Sequence, residues 1–243
     1  MVCSEEVQIQ TSSLDLDELN QRFDTAHPRE ILAWCIRNIP TGLVQTSAFG
    51  VSGMVTMDIL YRELKPEPPV PVLFLDTLHH FRETLELVEN SKNLYNLDLR
   101  VYKIEGVDSR EAFAEEYGEA LWEKDVQKFH YITKVEPLQR GLTELNTVAW
   151  LTGRRRDQAS TRAVMPVFER DIKHRIKVNP LANWTRNQTW AYVMENNVPY
   201  NVLHDRGYGS IGDEPLTTPI AKGEDERAGR WRGTAKTECG IHI

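Results

Sequence analysis

The chain has 243 residues, 40% of them apolar and 27% charged, which allows one sizeable core and describes a globular protein rather than a disordered one. No apolar run approaches the roughly 20 residues a membrane helix needs. Glu5 and Glu6 stand where a secretory signal would carry its basic region, so no membrane anchoring and a cytoplasmic location are expected. The formal charge of -7 is uneven: residues 1–24 hold Glu5, Glu6, Asp15, Asp17, Glu18 and Asp24 against Arg22 alone. The nearly neutral remainder gathers bases at Arg154–Arg156 and between Arg227 and Lys236, which suits a small anionic ligand and argues against nucleic acid, whose binders need a broad basic field.

In chain order, an acidic leader over 1–27 precedes a helix opened by Pro28, whose stripe Ile31, Leu32, Cys35, Ile36 and Ile39 marks its core face. Strand patterns follow at Leu43–Phe49, Val70–Asp76, Leu97–Ile104 and Val148–Gly153, with weaker ones at Val164–Phe168 and Arg175–Val178. Helical patterns lie at Gly53–Leu64, Phe81–Leu94 and Pro137–Leu145. A further helix, Thr185–Asn196, opens with Thr185 and Gln188 at capping-box spacing and is expected to bury Trp190, Val193 and Met194. Strands alternating with helices predict an α/β fold over 28–201, a mostly parallel, Rossmann-like sheet with helices on both faces. From Val202 to Ile243 the chain carries seven of its fourteen glycines together with six arginines and lysines. Such a segment buries little apolar surface, so it is expected to be a basic lid that a ligand or partner orders.

Three strand ends are suited to anions. Thr46–Gly53 joins the first strand to a helix, where backbone N–H groups and the helix dipole converge; Ser47, Gly50, Ser52 and Gly53 are the expected contacts. The turn matches neither the Walker pattern nor Gly-x-Gly-x-x-Gly. Asp76 and Thr77 end the second strand, where Asp76 is placed to accept from a ribose hydroxyl or to cap the next segment. Gly153, Arg154 and Arg156 end a later strand, with Arg162 close behind, and arginine forks match phosphate and sulfate oxygens.

The three cysteines show no metal-ligand spacing. Cys3 lies in the polar leader and Cys35 on a core stripe, whereas Cys239 sits in a basic, Gly-rich segment with no packing role. Lys236 and His242 favour its thiolate and Glu238 opposes them. A cysteine on an arm can react with a bound substrate and then present the product to a second thiol.

Glu238-Cys239-Gly240-Ile241-His242 resembles the Glu-Cys-Gly-Leu/Ile-His signature of the adenylyl-sulfate and phosphoadenylyl-sulfate (PAPS) reductases. The resemblance runs in the family's order through Ser47–Gly53, Leu75–Thr77, Lys134–Leu138, Gly153–Arg162, Gly209–Asp213 and Glu226–Trp231, covering roughly residues 28–242. It implies a fold of the PP-loop, or adenine-nucleotide alpha-hydrolase, type. One branch of the family holds an iron–sulfur cluster on a Cys-Cys pair and a Cys-x-x-Cys; here Phe129-His130 and Asp213–Leu216 stand at those places, and a cluster of that type needs thiolates. The resemblance is therefore to the cluster-free branch, with no bound cofactor or metal, PAPS as substrate, adenosine 3′,5′-bisphosphate as product and thioredoxin as reductant. It also implies Cys239 as nucleophile, with Lys134, Arg162, Arg227 and Arg230 on substrate oxygens and His242 on the sulfonate or the closed arm. A homodimer, and a place in the sulfate assimilation that leads to cysteine and methionine, are implied by the same likeness. Two other readings stand beside it: a PP-loop ATP pyrophosphatase or adenylyl transferase, and a non-catalytic adenine-nucleotide module.

Overall fold

The computed structural model describes residues 14–232, 236, 238 and 240–242. In chain order the elements are α1 (Leu16–Phe23), α2 (Pro28–Asn38), β1 (Leu43–Thr46), α3 (Val51–Asp58), β2 (Val72–Leu75), α4 (Arg82–Tyr95), β3 (Leu99–Tyr102), α5 (Arg110–Tyr117), α6 (Leu121–Lys124), α7 (Val126–His130), α8 (Glu136–Glu144), β4 (Ala149–Leu151), β5 (Phe168–Arg170), β6 (Ile176–Val178) and α9 (Arg186–Asn196). A wider π turn extends α3 over Ile59–Leu64, and another, Tyr131–Val135, joins α7 to α8. No described helix is long and apolar enough to cross a membrane.

The six strands form one sheet in the order β3-β2-β1-β4-β6-β5, parallel except for β5 at the edge. The chain steps outward from β1 through β2 to β3, then returns to place β4 on the other side of β1. In open α/β sheets ligands bind at such a switch in direction, off the carboxyl ends of the strands. On one face Leu32, Cys35, Met54, Val55, Leu60 and Phe74 pack into the main core; on the other Val44, Leu73, Leu138, Leu142 and Trp150 do so. Each such side chain contributes about 1.5–3 kcal/mol by leaving water. Burial pushes the Cys35 thiol far up, as befits a core residue.

The expected strands occur with shorter bounds, apart from the one displaced below, and the expected helices within two residues of their expected bounds; four features differ. The leader holds α1, capped by Asp15, whose Phe23 packs on Trp34 and Phe168. The strand expected over Val164–Phe168 is displaced to Phe168–Arg170: Asn20 brackets Phe168 from both sides and Val164 is exposed. The capping box of α9 forms as read, but Met194 is exposed, since it cannot share a face with its neighbour Val193, which is buried. Finally, residues 202–232 lie against the body of the domain. Asp213 and Trp231 are buried there, Asp213 bridges to His80, and Thr217 bridges to Arg230. Gly212 permits this packing, because a Cβ there would stand 2.1 Å from the Arg230 guanidinium.

Candidate active site

At the β1/β4 switch lies a cleft of about 220 Å³, walled by the β1–α3 turn, the end of β4 and loops from the C-terminal segment. The turn begins with Ser47, whose Oγ accepts from the Phe49 N–H at 3.0 Å and holds Phe49 at φ +55°. That left-handed kink leads into Gly50, the N-cap of α3, which has no side chain to cap the helix. The first N–H groups of α3 therefore face the cleft as anion donors. Ser52 Oγ accepts from Arg155 at 2.8 Å and keeps its own proton to donate. Gly153, just after β4, is pressed against Gly53 in the first turn of α3, so the end of β4 and the start of α3 form one continuous wall.

Cations stand on two sides of that wall. Arg162 clasps the Glu238 carboxylate through two hydrogen bonds of 2.7 Å, and Arg227 reaches the same carboxylate at 3.3 Å. Burial pushes the Glu238 carboxyl up, but Arg162, Arg227 and Arg154 outweigh it and hold it below the usual carboxylate range. Its charge is thus spent on arginines. Arg154 is buried, bonds Asn179 at 3.1 Å and pairs with Glu169; burial and the nearby Arg162 push it down to about 10, against the pull of Glu238. Arg227 and Arg230 lie over the Trp231 ring at 5.2 and 4.5 Å, and Arg230 also donates to Ser210 and the Ile211 carbonyl at 3.3 Å. Lys134, from the turn before α8, also lines the cleft, close to His80.

His242 also lines the cleft. Burial, then Arg154, Arg162, Lys177 and Arg227, hold its imidazole far below the ordinary histidine range, so it is neutral. It therefore supplies no positive charge to favour a thiolate, contrary to the expectation from its place in the sequence. Its ring lies parallel to Trp150, and its carbonyl accepts from Lys177 at 3.1 Å.

Ser47, Gly50, Ser52, Gly53, Lys134, Gly153, Arg154, Arg162, Arg227, Arg230 and His242 thus share one cleft, as do Glu238 and Ile241 beside Cys239. Cys239 itself, like Cys3, lies outside the described residues. Three expected contacts are elsewhere. Asp76 Oδ1 accepts from the Leu78 N–H at 2.9 Å and Thr77 Oγ1 from the His79 N–H at 3.3 Å, so both close the turn after β2 and neither lines the cleft. Arg156 points away, toward the Met165 carbonyl, Asn183 and Asp24. Its neighbour Arg155 takes the inward place, bonded to Ser52, Asp157 and Glu226, because the chain tightens into a 3₁₀ turn at Arg156 and breaks the strand alternation. Arg186 at the start of α9, Trp190 and His80 are further cleft residues not named from sequence. The capping box at Thr185 was the one available signal for Arg186, since it fixes where that helix starts.

The model of the phosphoadenosine phosphosulfate reductase domain family matches residues 42–219. A phosphoadenosine phosphosulfate reductase of Emericella nidulans is 51% identical over 93% of this chain and 74% of its own length. One of Saccharomyces cerevisiae is 49% identical over 93% and 89%. An adenosine 5′-phosphosulfate reductase of Halalkalibacterium halodurans is 38% identical over 96% and 99%. Among solved structures, a PAPS reductase from Candida auris in a phosphate complex superposes with a TM-score of 0.76 at 40% identity, over 90% of this chain and 99% of that one. An FMN adenylyltransferase of Candida glabrata shares the fold at a TM-score of 0.58 and 16% identity, over 92% and 77%.

Proposed function

Since the chain belongs to the phosphoadenosine phosphosulfate reductase family, we propose that it reduces PAPS to sulfite and adenosine 3′,5′-bisphosphate with thioredoxin as electron donor. The observation that carries this reading is that the residues flanking Cys239 line the same cleft as the β1–α3 turn and the arginines after β4. An anionic nucleotide off the strand ends would thereby lie within reach of the C-terminal segment.

The chemistry follows from those parts. The nucleotide's phosphate and sulfate oxygens accept from the turn's N–H groups and from Lys134, Arg162, Arg227 and Arg230. A thiolate approaching an anionic sulfo group is repelled, and cations fixed in place offset that repulsion. Cys239 Sγ attacks the sulfur, an S–S bond forms, and the S–O bond to the phosphate breaks. Adenosine 3′,5′-bisphosphate leaves and the sulfonate remains on Cys239. A thioredoxin thiolate then attacks Cys239 Sγ and expels sulfite; the second thioredoxin cysteine resolves the mixed disulfide and returns Cys239 as a thiol. Two electrons pass from the dithiol to sulfur. We read the chain as needing no iron–sulfur cluster, because Phe129, His130, Asp213 and Leu216 offer no thiolate and Asp213 is paired with Lys134.

Mixing the protein with PAPS in the absence of thioredoxin should leave one SO₃ group on Cys239, detected by mass spectrometry. Bound nucleotide with Cys239 unmodified would refute the covalent step. Adenosine 5′-phosphosulfate in the same assay tests the substrate preference, with slower modification expected.

A further inference from the structure

Behind the cleft wall lies a buried ionic group that the reaction as written leaves unused. Asp213 is fully buried. Its Oδ2 accepts a short hydrogen bond from Lys134 Nζ, and His130 Nε2 lies 3.6 Å away. Oδ1 has no hydrogen-bond partner among the described residues, so Lys134 provides the carboxylate's only side-chain hydrogen bond within 3.5 Å among them. The backbone holds it there: Asp213 bridges to His80, the Glu214 N–H donates to the His79 carbonyl at 2.7 Å, and Thr217 Oγ1 donates to the Asp213 carbonyl at 2.8 Å.

A buried carboxylate survives only when paired. Burial pushes Asp213 up, yet Lys134, His130 and His80 outweigh it and hold it well below the usual carboxylate range. His130 is itself pushed down to about 4, chiefly by burial, and its Nε2 accepts from the Trp231 indole N–H at 3.4 Å. The anion thus faces one cation, Lys134, while His130 carries the contact on to Trp231, whose ring lies beneath Arg227 and Arg230. Lys134 spends one of its three N–H donors on Asp213 and faces the cleft with the rest.

We infer that Asp213 is a positioning residue for Lys134, holding its ammonium at the cleft wall in register with the Arg227–Arg230 pair. The inference rests on the sulfonucleotide reading of the site. A lysine is a point charge on a flexible four-carbon stem, and a cation must be fixed in advance to stabilise charge as the sulfo group transfers. The buried Asp213–His130 pair, continued to Trp231 in the cleft wall, supplies that fixing.

The test is a double-mutant cycle on Cys239 S-sulfonate formation in a single turnover with PAPS. Asp213→Asn keeps the volume and removes the charge; it should slow the step about tenfold or more, while adenosine 3′,5′-bisphosphate binds within about threefold of wild type. The double variant Lys134→Met/Asp213→Asn leaves no unpaired buried charge, so it remains foldable where the single variant is not, and it should be no slower than Lys134→Met alone. A wild-type rate in Asp213→Asn overturns the inference, as does a double variant slower than Lys134→Met by more than about threefold, because Asp213 would then act by another route. Failure of the functional reading shows separately, as a wild-type chain that forms no S-sulfonate. Anchoring is then read from reductive methylation of Lys134, which should quicken about fivefold or more in Asp213→Asn as the ion pair is lost; an unchanged rate overturns the inference.

Discussion

Arg162 and Glu238 meet fork to fork, Nε to Oε1 and Nη2 to Oε2, both at 2.7 Å. The carboxylate of the residue beside Cys239 therefore occupies the arginine pair that a sulfonucleotide's oxygens would use. Any anion entering there competes with Glu238. Glu238→Gln should tighten binding of adenosine 3′,5′-bisphosphate by about fivefold, roughly the 1 kcal/mol scale of a charge-assisted hydrogen bond. Isothermal titration checks this, and equal or weaker binding would show that the carboxylate does not compete.

Two glycines of the cleft wall should respond differently to a methyl group. A Cβ on Gly153 would stand 2.9 Å from Gly53 N, backbone against backbone, whereas a Cβ on Gly50 meets nothing within 4 Å. Gly153→Ala should cost about 1–3 kcal/mol in urea unfolding, because neither the backbone after β4 nor the first turn of α3 can yield cheaply. Gly50→Ala should leave the unfolding midpoint nearly unchanged and weaken nucleotide binding about tenfold by filling space where the α3 N–H groups face the ligand.

Arg155 is 2% exposed in its side chain and ties together Ser52, Asp157 and Glu226, three segments remote in sequence. Arg155→Met keeps much of the volume and leaves the half-buried Asp157 and Glu226 carboxylates only their contacts with Arg186. A loss of about 3 kcal/mol in unfolding free energy is expected. A loss below about 1 kcal/mol would mean that the ties are only those of a solvated ion pair.

Stability should fall as the medium is acidified from neutrality. Burial lowers His79, His80, His130, His204 and His242 below the ordinary histidine value. In the unfolded chain each takes up a proton near pH 6.5, while in the native state it stays neutral. The unfolded state then binds more protons, so native stability is fully present above about pH 6.5 and declines below it, for His130 until about pH 4. Asp213 and Glu238, held low in the fold, add a second decline below about pH 4. Denaturant unfolding at a series of pH values measures the slope, and His242→Asn should reduce it by about one proton between pH 6 and 5.

The anion turn after β1, the arginines after β4 and the C-terminal motif are legible in sequence because each follows a strand pattern or carries rare residues at fixed spacing. Asp76 is not, since an aspartate at a strand end serves equally to close a turn, and here it does. Within Arg154–Arg156 the sequence offers no way to choose the inward pair; a 3₁₀ turn at Arg156 decides it. The burial of Asp213 was equally hidden. Its partners Lys134 and His130 lie about eighty residues away, in segments whose meeting depends on the whole sheet. Gly209 and Gly212 read as looseness, yet at Gly212 the missing side chain is what lets Arg230 pack close.

The cleft draws its walls from residues far apart in chain order: the turn after β1, and Glu226, Arg227, Arg230, Trp231, Glu238 and His242, which follow every strand of the sheet. As the chain leaves the ribosome, the parallel sheet can be complete before the Arg227–Trp231–Arg230 stack and Glu238 exist to meet it. The nascent protein thus passes through a stage that is folded yet open at its cationic wall. Residues late in the chain order are thus the ones that complete the cleft.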